Sequence, residues 1–324
     1  MCSRRGTKTL TPPAKRPKTH FLNRPAVYRL GTKWARRLPM PLAYTIAEGA
    51  AVASFILYPR ALKNTIENLR MVLQGESQGS LAASARKLFR NYARYLVDYA
   101  MFAFLPEDEI LKKIVSFEGK AILDEAANRG KGIILLTAHL GNWELGGLFL
   151  NSLGLKINVL TSKDENPGID EARTRYRQRH GIKTITVGAS TPLSSVELAG
   201  ALFRSEVVAM LIDRHNPLMG NIEIEFFGKK VDFPAGPFIL SKMTGAPIIT
   251  GFVVMEKDGY KGIIEGPFTV ANDIDGAARK AVESLQRNIA KYPCQWYNFD
   301  VCVKVSGLDG LLPKSGGRLI NDEI

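Results

Sequence analysis

From about residue 115 onward, short β-branched and apolar runs alternate with stretches of helical periodicity. Few architectures accept that order. IVSF (114–117) precedes a helix predicted near 119–129, and GIILLTA (132–138) precedes one near 142–152. INVLTS (157–162) is followed by helical spacing over 168–180, and KTITV (183–187) by helical spacing over 192–204. VVAMLI (207–212) and the alternating IEIEFF (222–227) extend the strand series. A helix is predicted from Pro237 to Gly245, then strands PIITGFVVM (247–255) and KGIIEG (261–266), then a closing amphipathic helix over 273–291. Helices must cover both faces of such a sheet, so the predicted fold is α/β with a mixed, largely parallel central sheet. Ligands in sheets of this kind sit beyond the carboxyl ends of the strands, which directs attention to the residues just after each run.

The first hundred residues read differently. Residues 1–47 hold eleven Lys and Arg and no Asp or Glu, while the rest of the chain is near neutral, although the net charge is +13. Residues 1–38 form a Pro-interrupted basic arm, expected to be disordered and suited to an anionic surface. Residues 39–58 (PMPLAYTIAEGAAVASFILY) are the most apolar long stretch, with Glu48 as the sole charge. The stretch is borderline for crossing a bilayer, and basic residues flank both ends. Shallow insertion on one leaflet is therefore expected. Residues 61–73 and 80–104 show amphipathic helical spacing, the second with Tyr92, Tyr95 and Tyr99 on its apolar stripe. The expected organisation is the arm, a membrane-associating helical segment over 39–112, an α/β domain over 113–305 and a flexible tail over 306–324. Three Cys exclude a disulfide framework, and no metal-ligand spacing occurs.

Four places carry residues suited to chemistry. His139 ends the most apolar strand, in TAHLGNWE, with Glu144 five residues on. On a continuous helix those side chains would stand about 140° apart. A break at Gly141 followed by a helix start near Asn142 allows Glu144 to turn back and hold one imidazole nitrogen, leaving the other as a base. The free N–H groups of that helix start would face a developing oxyanion. Asp213 and Arg214 follow VVAMLI at another strand end, either facing a ligand or anchoring the next loop as a salt bridge, and FFGKKVDFPAGPF (226–238) reads as a tight loop before a helix, either an ordinary strand–helix turn or one that presents N–H groups to an anion. Arg173, Arg175, Arg177 and Arg179 crowd one basic helix.

Taken in order, these blocks resemble the lysophospholipid acyltransferase superfamily, and within it the bacterial lipid A late-acyltransferase branch. HLGNWE resembles the H-x4-E motif with its Gly-Asn-Trp filling. KDENPGID, VVAMLIDRHNPLMGNIEIEFFGKKVDFPAGPF, TGAPIITGFV, PCQWYNF and NTIENLRMVL fit further blocks, so the resemblance runs from about residue 60 to 303. It implies a membrane-associated O-acyltransferase at the cytoplasmic face of the bacterial inner membrane. Such an enzyme moves a fatty acyl group from a thioester, on acyl carrier protein or CoA, to a hydroxyl of a lipid A-type or other glycolipid acceptor, with no cofactor. By the same resemblance His139 is the general base and Glu144 its partner. Asn142, Arg177, Asp213, Arg214, Phe233, Pro234 and Gly236 would contact substrate. Arg214 stands where the branch usually has Gln, and Asn298–Phe299 stand in place of its basic stretch, which leaves the acceptor open. A lipid hydrolase and a non-enzymatic lipid- or nucleic-acid-binding protein are the competing readings. The first lacks a G-x-S-x-G nucleophile, and the second lacks any nucleic-acid motif, so no specific nucleic acid is expected.

Overall fold

The computed structural model describes residues 38–57, 59–102, 104–162, 167–187, 194–214, 220–270 and 273–300. The basic arm, the C-terminal tail and part of KDENPGID lie outside them. Three helices come first: α1 (Met40–Leu57), α2 (Pro59–Val72) and α3 (Gln78–Phe102), followed by the short α4 (Glu107–Leu111). Then β1 (Ile114–Glu118), α5 (Lys120–Asn128), β2 (Ile133–Thr137), α6 (Trp143–Ser152), β3 (Ile157–Ser162), α7 (Pro167–Arg179), β4 (Lys183–Val187), α8 (Ser194–Phe203) and β5 (Val207–Leu211) alternate as predicted. A hairpin of β6 (Asn221–Phe226) and β7 (Lys229–Pro234) leads into α9 (Gly236–Thr244), β8 (Ile248–Met255), β9 (Tyr260–Phe268) and α10 (Ile274–Lys291).

Seven strands form one sheet in the order β1-β9-β8-β2-β5-β3-β4. Every neighbouring pair is parallel except β8 with β9. The mixed, largely parallel sheet is thus as expected. The alternation of side chains along β2 explains the two cores. Ile134 and Leu136 point into a large cluster with α8, α9 and α10, whereas Ile133 and Leu135 point into a second cluster with α5 and α6. Buried on both faces, β2 reads as a continuous apolar run, as central parallel strands do.

One strand escaped the sequence reading. KKVDFP, which leads into the turn at Pro234, Gly236 and Pro237, is β7, paired antiparallel with β6. Phe227 and Gly228 form the two-residue turn, with φ of 51° and 74°. Positive φ at both turn residues matches the twist of a hairpin. Val231 and Phe233 then point inward while Lys230 and Asp232 point to solvent.

α1 and α3 lie against each other, and α3 also packs on the segment around Pro293–Gln295. The tyrosine stripe of α3 is core: Tyr95 and Tyr99 are buried, and the Tyr95 ring lies tilted against those of Trp143 and Tyr297. Among the described residues no helix is long and apolar enough to cross a membrane.

Candidate active site

Parallel register builds the site. Thr137, the last residue of β2, pairs with Leu211, the last residue of β5. The ladder continues one step, with the Ile212 N–H donating to Thr137 O. His139 and Asp213 each stand two residues beyond those paired ends, so they arrive side by side although 74 residues separate them. At that next rung a side chain replaces the backbone acceptor: the His139 N–H donates to Asp213 Oδ2 at 2.9 Å. The imidazole Nδ1 lies 2.8 Å from Asp213 Oδ1.

Asp213 is buried and takes a further donor, Trp296 Nε1, on Oδ2 at 2.9 Å. Burial alone would raise its pKa, but the His139 imidazole, the Arg214 charge and these hydrogen bonds hold it down at about 2. An ionised carboxylate is acceptor-only. It therefore requires the proton of neutral His139 on Nδ1 and leaves the Nε2 lone pair open. Nε2 makes no hydrogen bond among the described residues, and the side chain stays 18% exposed. Burial lowers the His139 pKa below the ordinary 6.5, with Arg214 and Arg173 pushing the same way and Asp213 opposing. The ring is thus a free base at neutral pH. Trp143 meets it edge-on, with ring centroids 5.1 Å apart.

The backbone of 139–142 is fixed from two sides. Tyr297 N–H donates to His139 O at 2.7 Å, Gly141 N–H to Gln295 O, and Asn142 N–H to Val253 O. Gly141 has φ +67°, and a Cβ there would lie 2.0 Å from Val253 O. Only glycine fits so close an approach. Asn142 then caps α6, its Oδ1 accepting from the Leu145 N–H at 3.0 Å. Asn142 O takes the Gly146 N–H, which leaves the amides of Trp143 and Glu144 as first-turn donors that no described group accepts from.

Several expected roles change. Glu144 does not hold the imidazole, because Asp213 occupies Nδ1 and Glu144 turns inward to Arg177. Arg177 Nη2 and Nε donate to its two carboxylate oxygens at 2.6 and 3.0 Å. Both side chains are nearly closed to solvent, at 5% and 6% exposure, so Arg177 is committed to Glu144 rather than open to a head group. The pairing with Glu144 raises the Arg177 pKa against the cost of burial. Asn142 is the buried cap of α6. Phe233 is core, packed edge-on against Phe226. Pro234 is buried and Gly236 opens α9. Pro237 lacks an N–H, and the Phe238 and Ile239 amides donate to Ala235 O. Asp213 and Arg214 are where a strand-end reading puts them, Arg214 donating to Tyr297 O at 3.2 Å. The sequence reading gave Trp296 no role, although it noted the PCQWYNF block that contains it.

A narrow apolar cavity of about 50 Å³ lies between α6 and the sheet. Phe117, Leu135, Phe149, Leu150 and Ile264 line it, with glycines 146, 147, 251 and 262, and the Glu144–Arg177 pair lies in its wall. A carboxylate-backed histidine, adjacent helix-start amides and an apolar slot match the needs of acyl transfer. A family model described as bacterial lipid A biosynthesis acyltransferase matches residues 24–301.

The chain belongs to that family.

Among its relatives is the lipid A biosynthesis palmitoleoyltransferase of Escherichia coli. It is 25% identical over 279 residues, which is 83% of this chain and 87% of the relative. The phosphatidylinositol mannoside acyltransferase of Mycolicibacterium smegmatis is 25% identical over 174 residues, 53% of this chain and 57% of its own. The Mycobacterium tuberculosis protein of the same name is 24% identical over 177 residues, 54% and 55%. The chain thus spans a little over half the length of these mycobacterial relatives. His139 and Glu144 lie five residues apart, yet the structure gives one a carboxylate partner and the other a guanidinium.

Proposed function

We propose that the chain is an O-acyltransferase that moves a fatty acyl group from a thioester to a hydroxyl of a glycolipid, with His139 as general base oriented by Asp213. The observation that carries this is the Asp213-bound imidazole with its Nε2 free, on the segment that leads into α6 and its unused first-turn amides. His139 Nε2 takes the proton of the acceptor hydroxyl as its oxygen attacks the thioester carbonyl. Charge gathers on the former carbonyl oxygen, where the Trp143 and Glu144 amides and the positive end of α6 stabilise it. Collapse breaks the carbon–sulfur bond, and the imidazolium returns its proton to the departing thiolate. The products are an ester and a free thiol. Asp213 stays ionised throughout and stabilises the imidazolium.

The cavity under α6 is where the acyl chain begins its path. An apolar cavity of about 150 Å³ takes benzene. At about 50 Å³ this one admits a few carbons, so a longer chain enters by parting α6 from the sheet. The four glycines reduce the side-chain bulk that must move. The donor is an acyl carrier protein or CoA thioester. The acceptor is a membrane glycolipid of the kind named for the relatives, reached from the cytoplasmic face of the inner membrane. A hydrolase reading gains nothing from Cys294, because burial raises its thiol pKa and holds it in the protonated, weakly nucleophilic form.

The test is mass spectrometry of membrane lipids from cells expressing wild type or His139→Ala. A lipid heavier by one acyl group, made only by wild type, is the expected result. The same lipid made by both would remove the general-base assignment.

A further inference from the structure

One charged groove shares no lining residue with the His139 corner. α1 and α3 enclose an open groove of about 750 Å³. Arg86, Arg90 and Arg94 project into it from α3, four residues apart and therefore stacked one per turn over about 12 Å. From α1 a single carboxylate, Glu48, faces them. Its Oε2 accepts from Arg90 Nε and Nη2, and its Oε1 from Arg94 Nε at 2.5 Å. Arg86 makes no hydrogen bond or ion pair among the described residues. Three guanidinium groups against one carboxylate leave the groove with two uncompensated positive charges. Arg90 and Arg94 remain 51% and 42% exposed, so their other N–H groups reach solvent.

The groove is fixed in shape. The Tyr44 hydroxyl donates to Asp98 Oδ1 at 2.5 Å, and the Tyr260 hydroxyl donates to Oδ2 of the same buried carboxylate, which ties α1 through α3 to the sheet. Arg94 also lies over the Tyr44 ring, 5.6 Å from its centroid. On the neighbouring face of α1, Leu42 and Ile46 stand one turn apart at 47% and 54% exposure. An arginine row that favours phosphate oxygens thus adjoins apolar side chains left in water. A small inorganic anion satisfies only the first feature. An anionic lipid satisfies both.

We propose that the α1–α3 groove binds the head group of an anionic phospholipid, a lipid site separate from the His139 corner. Arg86, Arg90 and Arg94 take the phosphoryl oxygens, and Leu42 and Ile46 meet the start of the acyl chains. Glu48 is the resident counter-ion that the phosphate must displace. The proposal goes beyond the catalytic reading and does not depend on turnover, so its failure leaves that reading untouched.

Titration calorimetry of the full chain with soluble dihexanoyl phosphatidylglycerol tests it, with dihexanoyl phosphatidylcholine and inorganic phosphate as comparison ligands. Phosphatidylglycerol should bind saturably and at least ~10-fold more tightly than either comparison ligand. Arg86→Gln, which breaks no contact in the fold, should weaken binding about 3-fold or more. Arg86→Gln with Arg90→Gln should weaken it about 10-fold or more, the scale of a lost charge-assisted hydrogen bond. Glu48→Gln should tighten binding several-fold by removing the competitor, whereas a purely structural Glu48 would give weaker binding. Exposed Lys242 and Lys280 lie on α9 and α10, and Lys242→Gln with Lys280→Gln removes the same charge as the double arginine change. That control should leave the affinity unchanged. Every variant retains the basic arm, so the arm's contribution is common to all. Phosphate binding as tight as phosphatidylglycerol would make this a free-anion site and overturn the lipid assignment. Equal weakening by the lysine control would reduce the effect to net charge and overturn the site itself.

Discussion

Two carboxylate pairs grow from one six-residue segment, one with a neutral imidazole and one with a guanidinium, and they are built for opposite ends. His139 with Asp213 joins the ends of two parallel strands. It leaves Nε2 without a partner and the imidazole 18% exposed. Glu144 with Arg177 joins the first turn of α6 to α7, uses both carboxylate oxygens, and is shut away at 5% and 6% exposure. A pair that leaves a nitrogen lone pair open is suited to proton transfer, whereas a pair that satisfies itself is suited to holding a helix in place. The spacing of the motif therefore does not by itself say which carboxylate serves the base.

That contrast predicts a graded set of effects. His139→Ala should lower acyl transfer by about 10⁴-fold with the thermal midpoint little changed, the upper range for a lost general base. Asp213→Asn should cost on the order of 10²–10⁴ in kcat, because an amide no longer fixes the tautomer or steadies the imidazolium. Breaking the second pair should act mainly on stability. Glu144→Ala leaves Arg177 buried and uncompensated, a loss of about 3–5 kcal/mol in denaturant unfolding. Glu144→Leu with Arg177→Met should recover most of that stability, since well-packed apolar pairs often replace a buried salt bridge at no cost. Activity per folded molecule should recover with it. A double variant that folds but is as inactive as His139→Ala would end the division of labour. The smallest effect concerns selectivity. Phe149→Ala removes the ring that packs edge-on against Phe117 at 5.0 Å and widens the far wall of the cavity. Product mass spectra should then shift to acyl groups longer by a few carbons, with kcat within about an order of magnitude of wild type.

Much of this fold is visible in the chain before any coordinates. β3 and β4 fall on the residues that composition predicts, because a half-buried β-branched run bounded by polar residues has few alternatives. β7 was not visible, since Pro234 and two glycines dominate the local pattern, while the inward Val231 and Phe233 make a weaker alternating signal. At the site, His139 and Asp213 were both singled out, but their partnership was not. Local spacing favoured Glu144, which is five residues away, over Asp213, which is 74 residues away. The missed signal was shared position: His139 directly follows GIILLTA and Asp213 directly follows VVAMLI, each two places past its strand end, and parallel neighbours in register bring such residues together. The Trp296 bond to Asp213 had no comparable signal, because its segment is placed by backbone contacts to His139 and Gly141 rather than by periodicity.

The most direct test of which carboxylate serves the base is the pH dependence of kcat/KM for wild type, Asp213→Asn and Glu144→Gln under one assay. The free base is neutral His139, so activity is lost as pH falls through its pKa. Burial puts that pKa below 6.5, and the Asp213 charge opposes the lowering by favouring the imidazolium. Removing that charge must lower the pKa further. The account predicts an acid limb below 6.5 in wild type, displaced to still lower pH in Asp213→Asn and unmoved in Glu144→Gln. An acid limb that shifts in Glu144→Gln and stays in place in Asp213→Asn would contradict it.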